Sequence, residues 1–135
     1  PKNSFETARY IRKQLLKKYK IKNLGILITD SRVMPLRAGV TGVALGYAGF
    51  CGLKTYIGRP DIFGRKFTFS TTDVADSLAT AAVLTMGEGN EQQPLALIKN
   101  APIEFCRKTN RRELLIDIQE DMYLPLFSKL LKQTT

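Results

Sequence analysis

The first element that the pattern of apolar positions predicts is an amphipathic helix near the N-terminus. Apolar residues recur there at helical spacing and are expected to face the core, namely Phe5, Ala8, Ile11, Leu15, Leu16 and Tyr19. The Ser4 side chain can cap the first turn, so the helix is predicted to run from Phe5 to about Tyr19. Lysines and arginines fall on the opposite face, which indicates a solvated surface.

Short apolar runs predict strands further along the chain. A buried strand is expected from Leu24 to Thr29, ending at Asp30, and a second from Gly39 to Gly49. Glycines interrupt the second run every three or four residues, and such glycines often mark a close approach by another backbone or a ligand. Further strands are predicted from Phe67 to Ser70, where apolar and polar residues alternate, and from Pro94 to Ile98.

A second helix is predicted to begin after Thr71 or Thr72 and to end at about Met86. Its apolar face consists of Ala75, Leu78, Ala82 and Met86, and the alanines allow close packing. Gly87 suits a left-handed C-terminal position, and Asp73 and Asp76 are expected at the N-terminus, where the helix dipole favours carboxylates.

These elements predict one domain with an α+β fold, in which a mixed or antiparallel sheet packs against helices. A short helix interrupted by Pro125 is also expected from Asp121 to Leu131. No internal repeat or low-complexity linker divides the 135 residues.

The composition limits which catalytic groups and metal ligands the chain can use. The chain has no histidine, which excludes His-dependent triads and leaves oxygen ligands for a metal, so Mg²⁺ or Mn²⁺ is the expected ion. Cys51 and Cys106 lack metal-ligand spacing. A disulfide between them is the alternative, but two buried thiols in a reducing cytoplasm are expected. No apolar run approaches the roughly 18 residues of a membrane span, and no signal peptide is visible.

The positive charge is concentrated in the first helix. The net charge is +9, and residues 1–22 carry eight basic side chains against Glu6 alone, which gives +7. A nucleic-acid-binding surface would therefore depend on one helix. We favour a solvated helix face and do not expect nucleic acid as a partner.

The end of the first predicted strand could carry chemistry. Asp30 and Ser31 supply a carboxylate and a hydroxyl that can contribute to an oxygen shell for a divalent ion. Arg32 and Arg37 could neutralise phosphate oxygens with forked hydrogen bonds. On spacing alone, Asp30 is equally well explained as the cap of a turn.

The glycine-rich segment after the second helix could complete such a site. In Met86–Gly89 the glycines can expose backbone N–H groups to an anion, and Glu88 offers a second carboxylate. The polar run Asn90–Gln93 follows directly. Without further information an ordinary helix stop is the favoured explanation of these glycines.

Several blocks of the sequence together resemble the F420-0:γ-glutamyl ligase family, and most closely its folate-metabolism γ-glutamate ligase branch. The blocks read ITDS, LRAGVTGVALGYAGF and DIFGRKFTFSTTDVADSLATAAVLTMGEGNEQQPLALI, in this order. The resemblance extends from the first helix to about Pro102.

The resemblance implies a ligase that joins L-glutamate through an amide bond to a carboxylate of a cofactor-type acceptor, F420-0 or folate-like, with GTP as co-substrate. It implies Mg²⁺ or Mn²⁺ bound by Asp30, Ser31 and Glu88, where Ser31 replaces a threonine. Asp30 and Arg37 are the expected catalytic residues. The implied nucleotide-binding residues are Met86, Gly87, Glu88, Gly89, Asn90, Glu91, Gln92 and Gln93.

Members of this family are nearly twice as long and form homodimers. We therefore expect the chain to be a C-terminal portion, with residues 1–102 in a ligase-like domain and residues 103–135 as an extension packed on it. A start at Pro1 instead of methionine suggests a processed or truncated chain. The alternatives are a non-catalytic nucleotide- or anion-binding module and a basic nucleic-acid-binding domain.

Overall fold

The computed structural model describes residues 1–126, and within this range two helices and two small antiparallel sheets form the fold. In chain order the elements are α1 (Ser4–Tyr19), β1 (Ile26–Val33), β2 (Val40–Ala48), β3 (Leu53–Thr55), β4 (Thr71–Asp73) and α2 (Val74–Met86). Strand β1 pairs with β2, and β3 pairs with β4. The predicted α+β class is confirmed.

Both helices pack closely on the β1–β2 hairpin, at glycines of β2. A β-carbon at Gly42 would lie 2.3 Å from the carbonyl oxygen of Ala79 in α2. One at Gly46 would lie 2.6 Å from the backbone nitrogen of Phe5 in α1. The interrupting glycines therefore mark close backbone approaches, as their spacing predicted.

The core is built from small residues of the helices and aromatic residues at the end of β2. Ala8 of α1 and Ala75 of α2 are fully buried. The Tyr47 ring lies with its centroid 5.3 Å from that of Phe5 and 5.1 Å from that of Phe50. Tilted aromatic pairs at such distances stabilise a core beyond the area that they bury.

The hydroxyl group of Tyr47 connects this core to Glu113, 66 residues later in the chain. This hydroxyl donates to Glu113 Oε1 at 2.5 Å, and the Gly52 backbone nitrogen donates to the same oxygen at 2.9 Å. Burial, followed by the hydrogen bond to Glu113, raises the pKa of the Tyr47 phenol above its ordinary value. Ile103 and Leu114 also pack against the core. The predicted boundary between residues 1–102 and 103–135 stays a prediction.

The two cysteines are free thiols that lie next to each other, and each is half-buried rather than buried as expected. Backbone hydrogen bonds join the two segments, from Cys51 N to Glu104 O and from Cys106 N to Gly49 O. Burial and the hydrogen bond with the Cys106 thiol raise the pKa of Cys51 to about 11. Cys51 is therefore protonated at neutral pH.

The helix caps differ from those predicted. In α1 the cap is Asn3 instead of Ser4, because Asn3 Oδ1 accepts from the Glu6 backbone nitrogen at 3.1 Å. In α2 the cap is Asp73 instead of Thr71 or Thr72, which pair in β4. In each helix the observed cap is a residue next to the predicted one; Asn3 and Ser4 cap about equally well, and Asp73 is a stronger cap than threonine.

Two predicted strands are wrong. Residues 94–98 form no strand, because no other described segment pairs with them, and Leu95 and Leu97 are exposed. Residues 67–70 form no strand either, and Phe67 makes only an isolated bridge to Ile57. The helix predicted from Asp121 to Leu131 lies partly outside the described residues, where 124–126 are helical. No helix among residues 1–126 has both the length and the apolar character of a membrane span.

We expect Tyr47→Phe to lower the free energy of unfolding by about 1–3 kcal/mol, because a half-buried carboxylate loses its hydroxyl donor. The phenol of Tyr47 has a higher pKa in the folded protein than in the unfolded chain, so raising the pH deprotonates the unfolded chain at a lower pH than the folded protein. The wild type should therefore lose stability above about pH 10. Tyr47→Phe, which has no phenolic proton at this position, should lose less. Urea unfolding at pH 7 and pH 10.5 measures both effects. Tyr10→Phe, at an exposed tyrosine, is the control; equal effects of the two variants would contradict the prediction.

Candidate functional site

Asp30 and Ser31 lie inside β1, not at its end as predicted. The strand continues to Val33 because β2 supplies a pairing partner for each of these residues, with Asp30 opposite Val43 and Ser31 opposite Gly42. The polar character of the segment did not stop the strand, since an antiparallel hairpin tolerates polar residues on an open face.

Ser31 and Glu88 are brought together although they are 57 residues apart. Ser31 lies opposite Gly42, and Gly42 faces α2 through its close approach to Ala79. Glu88 follows the C-terminal end of α2. The Ser31 hydroxyl donates to Glu88 Oε2 at 3.0 Å. Two positions that the family resemblance assigned to one site are therefore in direct contact.

Asp30 is held next to this contact. Its Oδ1 atom accepts a hydrogen bond from the Ser31 backbone nitrogen at 2.8 Å, and its side chain is exposed. Successive side chains of a strand point to opposite faces, so the Asp30 carboxylate is joined to Ser31 through the Ser31 backbone nitrogen and not through its hydroxyl. Asp30, Ser31 and Glu88 thus form one chain of hydrogen bonds, which we call the Ser31 cluster.

The segment from Met86 to Gln93 forms a compact loop closed by Glu91. The Gly87 nitrogen donates to Val83 O at 2.9 Å and ends α2, with Gly87 at φ +81°. The Gly89 nitrogen donates to Glu91 Oε2 at 2.7 Å. Both glycine N–H groups are therefore already used, contrary to the expectation that they are exposed to an anion. A carboxylate occupies the position of that anion. The nucleotide-binding role of residues 86–93 stays a prediction.

Arg37 is separate from the Ser31 cluster in its contacts. It lies in the exposed connection between β1 and β2, where its backbone nitrogen donates to Met34 O at 3.3 Å. Within residues 1–126 its guanidinium forms no ion pair. Arg32 donates to the Met34 sulfur at 3.3 Å. The structure therefore provides no contact that supports the predicted catalytic role of Arg37, and the role stays a prediction.

The donor set of the Ser31 cluster suits a hard divalent ion but is incomplete. Two carboxylates and one hydroxyl offer only oxygen, which Mg²⁺ and Mn²⁺ prefer. Residues 1–126 contain no group of three or more Asp, Glu, Cys or His side chains that could hold a metal. An ion bound here would therefore keep ligands from water, phosphate oxygens or another part of the protein.

Asp76 and Thr80 of α2 position the Ser31 cluster, although the sequence predicted this role for neither residue. The register of the hairpin skips Leu45, so β2 carries a bulge, and the adjacent Ala44 nitrogen donates to Asp76 Oδ1 at 2.8 Å. Thr80 Oγ1 donates to Gly42 O at 3.0 Å. Asp76 and Thr80 are four residues apart on one helix face, and this spacing beside the alanine face was the available signal.

The hairpin, the two helices and the Ser31 cluster occur in a chain that belongs to the F420-0:γ-glutamyl ligase family, whose family model matches residues 1–100. The chain is 41% identical over 123 residues to a coenzyme F420:L-glutamate ligase of Methanococcus maripaludis, with 91% of this chain and 49% of the relative covered. It is 36% identical over 123 residues to the protein of that name from Methanocaldococcus jannaschii, with the same coverage. The chain thus spans about half the length of the curated relatives it matches.

A relative from Methanosarcina mazei with the same name is 38% identical over 99 residues, which cover 73% of this chain and 39% of the relative. Resemblance and comparison therefore agree on the family.

We expect Gly87→Ala to displace Glu91 from the Gly89 amide. An alanine β-carbon would lie 2.2 Å from Glu91 Cδ, and the positive φ adds a strain of about 1–2 kcal/mol. The amide proton of Gly89 should move upfield in the NMR spectrum as its charge-assisted hydrogen bond is lost.

Gly39→Ala is the matched control for this prediction. Gly39 has a similar φ of +87°, but no atom lies within 4 Å of an added β-carbon. Gly39→Ala therefore introduces the backbone strain without a collision with a neighbouring side chain. An unchanged Gly89 signal in Gly87→Ala, or the same shift in both variants, would contradict the prediction.

Proposed function

We propose that the complete protein is a GTP- and divalent-metal-dependent ligase that adds L-glutamate through an amide bond to a carboxylate of a cofactor-type acceptor, F420-0 or folate-like. The observation that carries the proposal is the 3.0 Å hydrogen bond between Ser31 and Glu88, which joins the two parts of the expected site. Membership of the ligase family supports the reaction class. The names of the relatives support glutamate and an F420 precursor as substrates.

The reaction proposed needs an activated carboxyl group. An acceptor carboxylate oxygen attacks the γ-phosphorus of GTP and releases GDP. The glutamate amine then attacks the carbonyl carbon of the resulting acyl phosphate, phosphate leaves, and the nitrogen gives up a proton to water. A bound Mg²⁺ or Mn²⁺ would neutralise negative charge on the phosphate oxygens. Asp30, Ser31 and Glu88 would hold that ion through their oxygens, with Arg37 as a further charge partner for phosphate.

The glycine-rich loop after α2 would contact the nucleotide in this proposal. Glu91 now accepts the Gly89 N–H, and a phosphate oxygen could take over this donor if the Glu91 side chain turned away. Glu91 would then control access to the loop. This role is consistent with its exposed position at the surface.

We also propose that the complete protein is a cytoplasmic homodimer. Large apolar side chains of the segment between β3 and β4 are exposed, including Ile62, Phe63 and Phe69. Large apolar side chains exposed in one segment are typical of an association site when they form a contiguous patch. A second copy of the protein would cover it.

A nucleotide-binding module without catalysis is the second candidate. The observation in its favour is that the described residues contain no group of three Asp, Glu, Cys or His side chains that could hold a metal ion. Release of GDP that depends on both glutamate and acceptor separates the two candidates, because a binding module would take up GTP without this turnover.

We expect Glu88→Gln to weaken Mn²⁺-dependent GTP binding by the complete protein at least tenfold, or about 1.4 kcal/mol, because an anionic ligand of the ion is lost. The fold should remain intact, since Glu88 is exposed. Calorimetric titration of GTP with and without Mn²⁺ measures the effect. Glu120→Gln, at another exposed glutamate, is the control, and equal affinities of wild type and Glu88→Gln would contradict the assignment.

A further inference from the structure

A basic cavity lies at the other end of the hairpin from the Ser31 cluster. Its volume is about 330 Å³, and its lining includes Arg9, Arg12, Gly49, Arg107, Lys108 and Thr109. Gly49 follows the last residue of β2, whereas Gly42 lies opposite Ser31. Gly49 lies seven positions after Gly42, which along an extended chain is on the order of 20 Å. The cavity is therefore distinct from the site proposed for GTP and metal, and the inference does not rest on that function.

Three separate segments build the cavity around a fixed arginine. Arg12 Nε donates to Leu24 O at 2.8 Å, and this bond holds the guanidinium in place. The two terminal nitrogens of the guanidinium take no part in it. A β-carbon at Gly49 would lie 2.1 Å from Arg12 Nε, and Gly49 has φ +93°. Only glycine allows the guanidinium to lie this close to the strand end. The Cys106 nitrogen donates to Gly49 O at 3.2 Å and brings Arg107 and Lys108 to the rim.

The positive charge of this cavity is only partly compensated. Glu6 accepts from Arg9 Nη1 at 3.1 and 3.2 Å and also pairs with Arg111. Within residues 1–126, Arg12, Arg107 and Lys108 form no ion pair. Three cations thus converge on one concave space without a carboxylate partner, which costs repulsion unless an anion is bound. Arginine forks match the oxygen geometry of phosphate.

We propose that this cavity binds the phosphate group of a small anionic ligand. The guanidinium groups of Arg12 and Arg107 provide planar donors, Lys108 provides a mobile charge, and the Thr109 hydroxyl is a further donor at the rim. A volume of about 330 Å³ accommodates a phosphate together with part of the molecule that carries it.

The test is a titration of the complete protein with inorganic phosphate at constant ionic strength, followed through the amide NMR signals of residues 49 and 107–109. Saturable shifts are expected, and the double variant Arg107→Gln/Lys108→Gln should weaken the affinity at least fivefold. The matched control is Lys13→Gln/Lys17→Gln, which removes the same charge from exposed positions of α1 that do not line the cavity. The control should change the affinity by less than about twofold.

Succinate, with a similar charge, distinguishes phosphate recognition from simple attraction of a dianion, and it should bind more weakly than phosphate. Absence of saturable phosphate binding, equal weakening in both double variants, or succinate binding as tight as phosphate binding would each overturn the proposal.

Discussion

The close approach of α2 to the hairpin at Gly42 is the constraint on which the rest of the structure depends. Any side chain at this position would collide with the Ala79 carbonyl, so glycine alone lets the helix lie directly on the strand. Hydrogen bonds from Ala44 N to Asp76 and from Thr80 to Gly42 O hold it there. Because the helix is rigid, this docking also determines where its C-terminal end lies, and the loop that follows meets Ser31.

The hairpin separates two regions of opposite charge. Asp30 and Glu88 supply carboxylates near one end, while Arg12 and the 107–108 segment supply cations near the other. A cation and an anion can therefore be bound on one small scaffold without neutralising each other, since at physiological salt the Debye length of about 8 Å is shorter than the distance between the regions. The net charge of +9 would also favour the approach of anionic molecules to the surface.

Local patterns predicted the helices and the glycine-rich strand well, because periodicity and close packing are properties of neighbouring residues. The extension of β1 through Asp30 to Val33 was missed, since it depends on pairing with β2 and not on the composition of the segment. The run from Pro94 to Ile98 was predicted as a strand for the opposite reason: it has strand-like composition but no partner among the described residues. The spacing of Asp76 and Thr80 on one helix face was a signal in the sequence, but the partner of Thr80 could not be predicted, because Gly42 is 38 residues away.

The resemblance to a family identified Ser31 and Glu88, and the fold supplied the contact between them. The most direct measurement is a crystal structure of the complete protein with Mn²⁺ and a non-hydrolysable GTP analogue, with anomalous diffraction recorded at the manganese edge. We expect an anomalous peak within about 2.5 Å of oxygens from Asp30 and Glu88, with the nucleotide phosphates completing its shell. A manganese peak elsewhere, with the Ser31–Glu88 hydrogen bond intact beside an empty cluster, would contradict the proposed metal site.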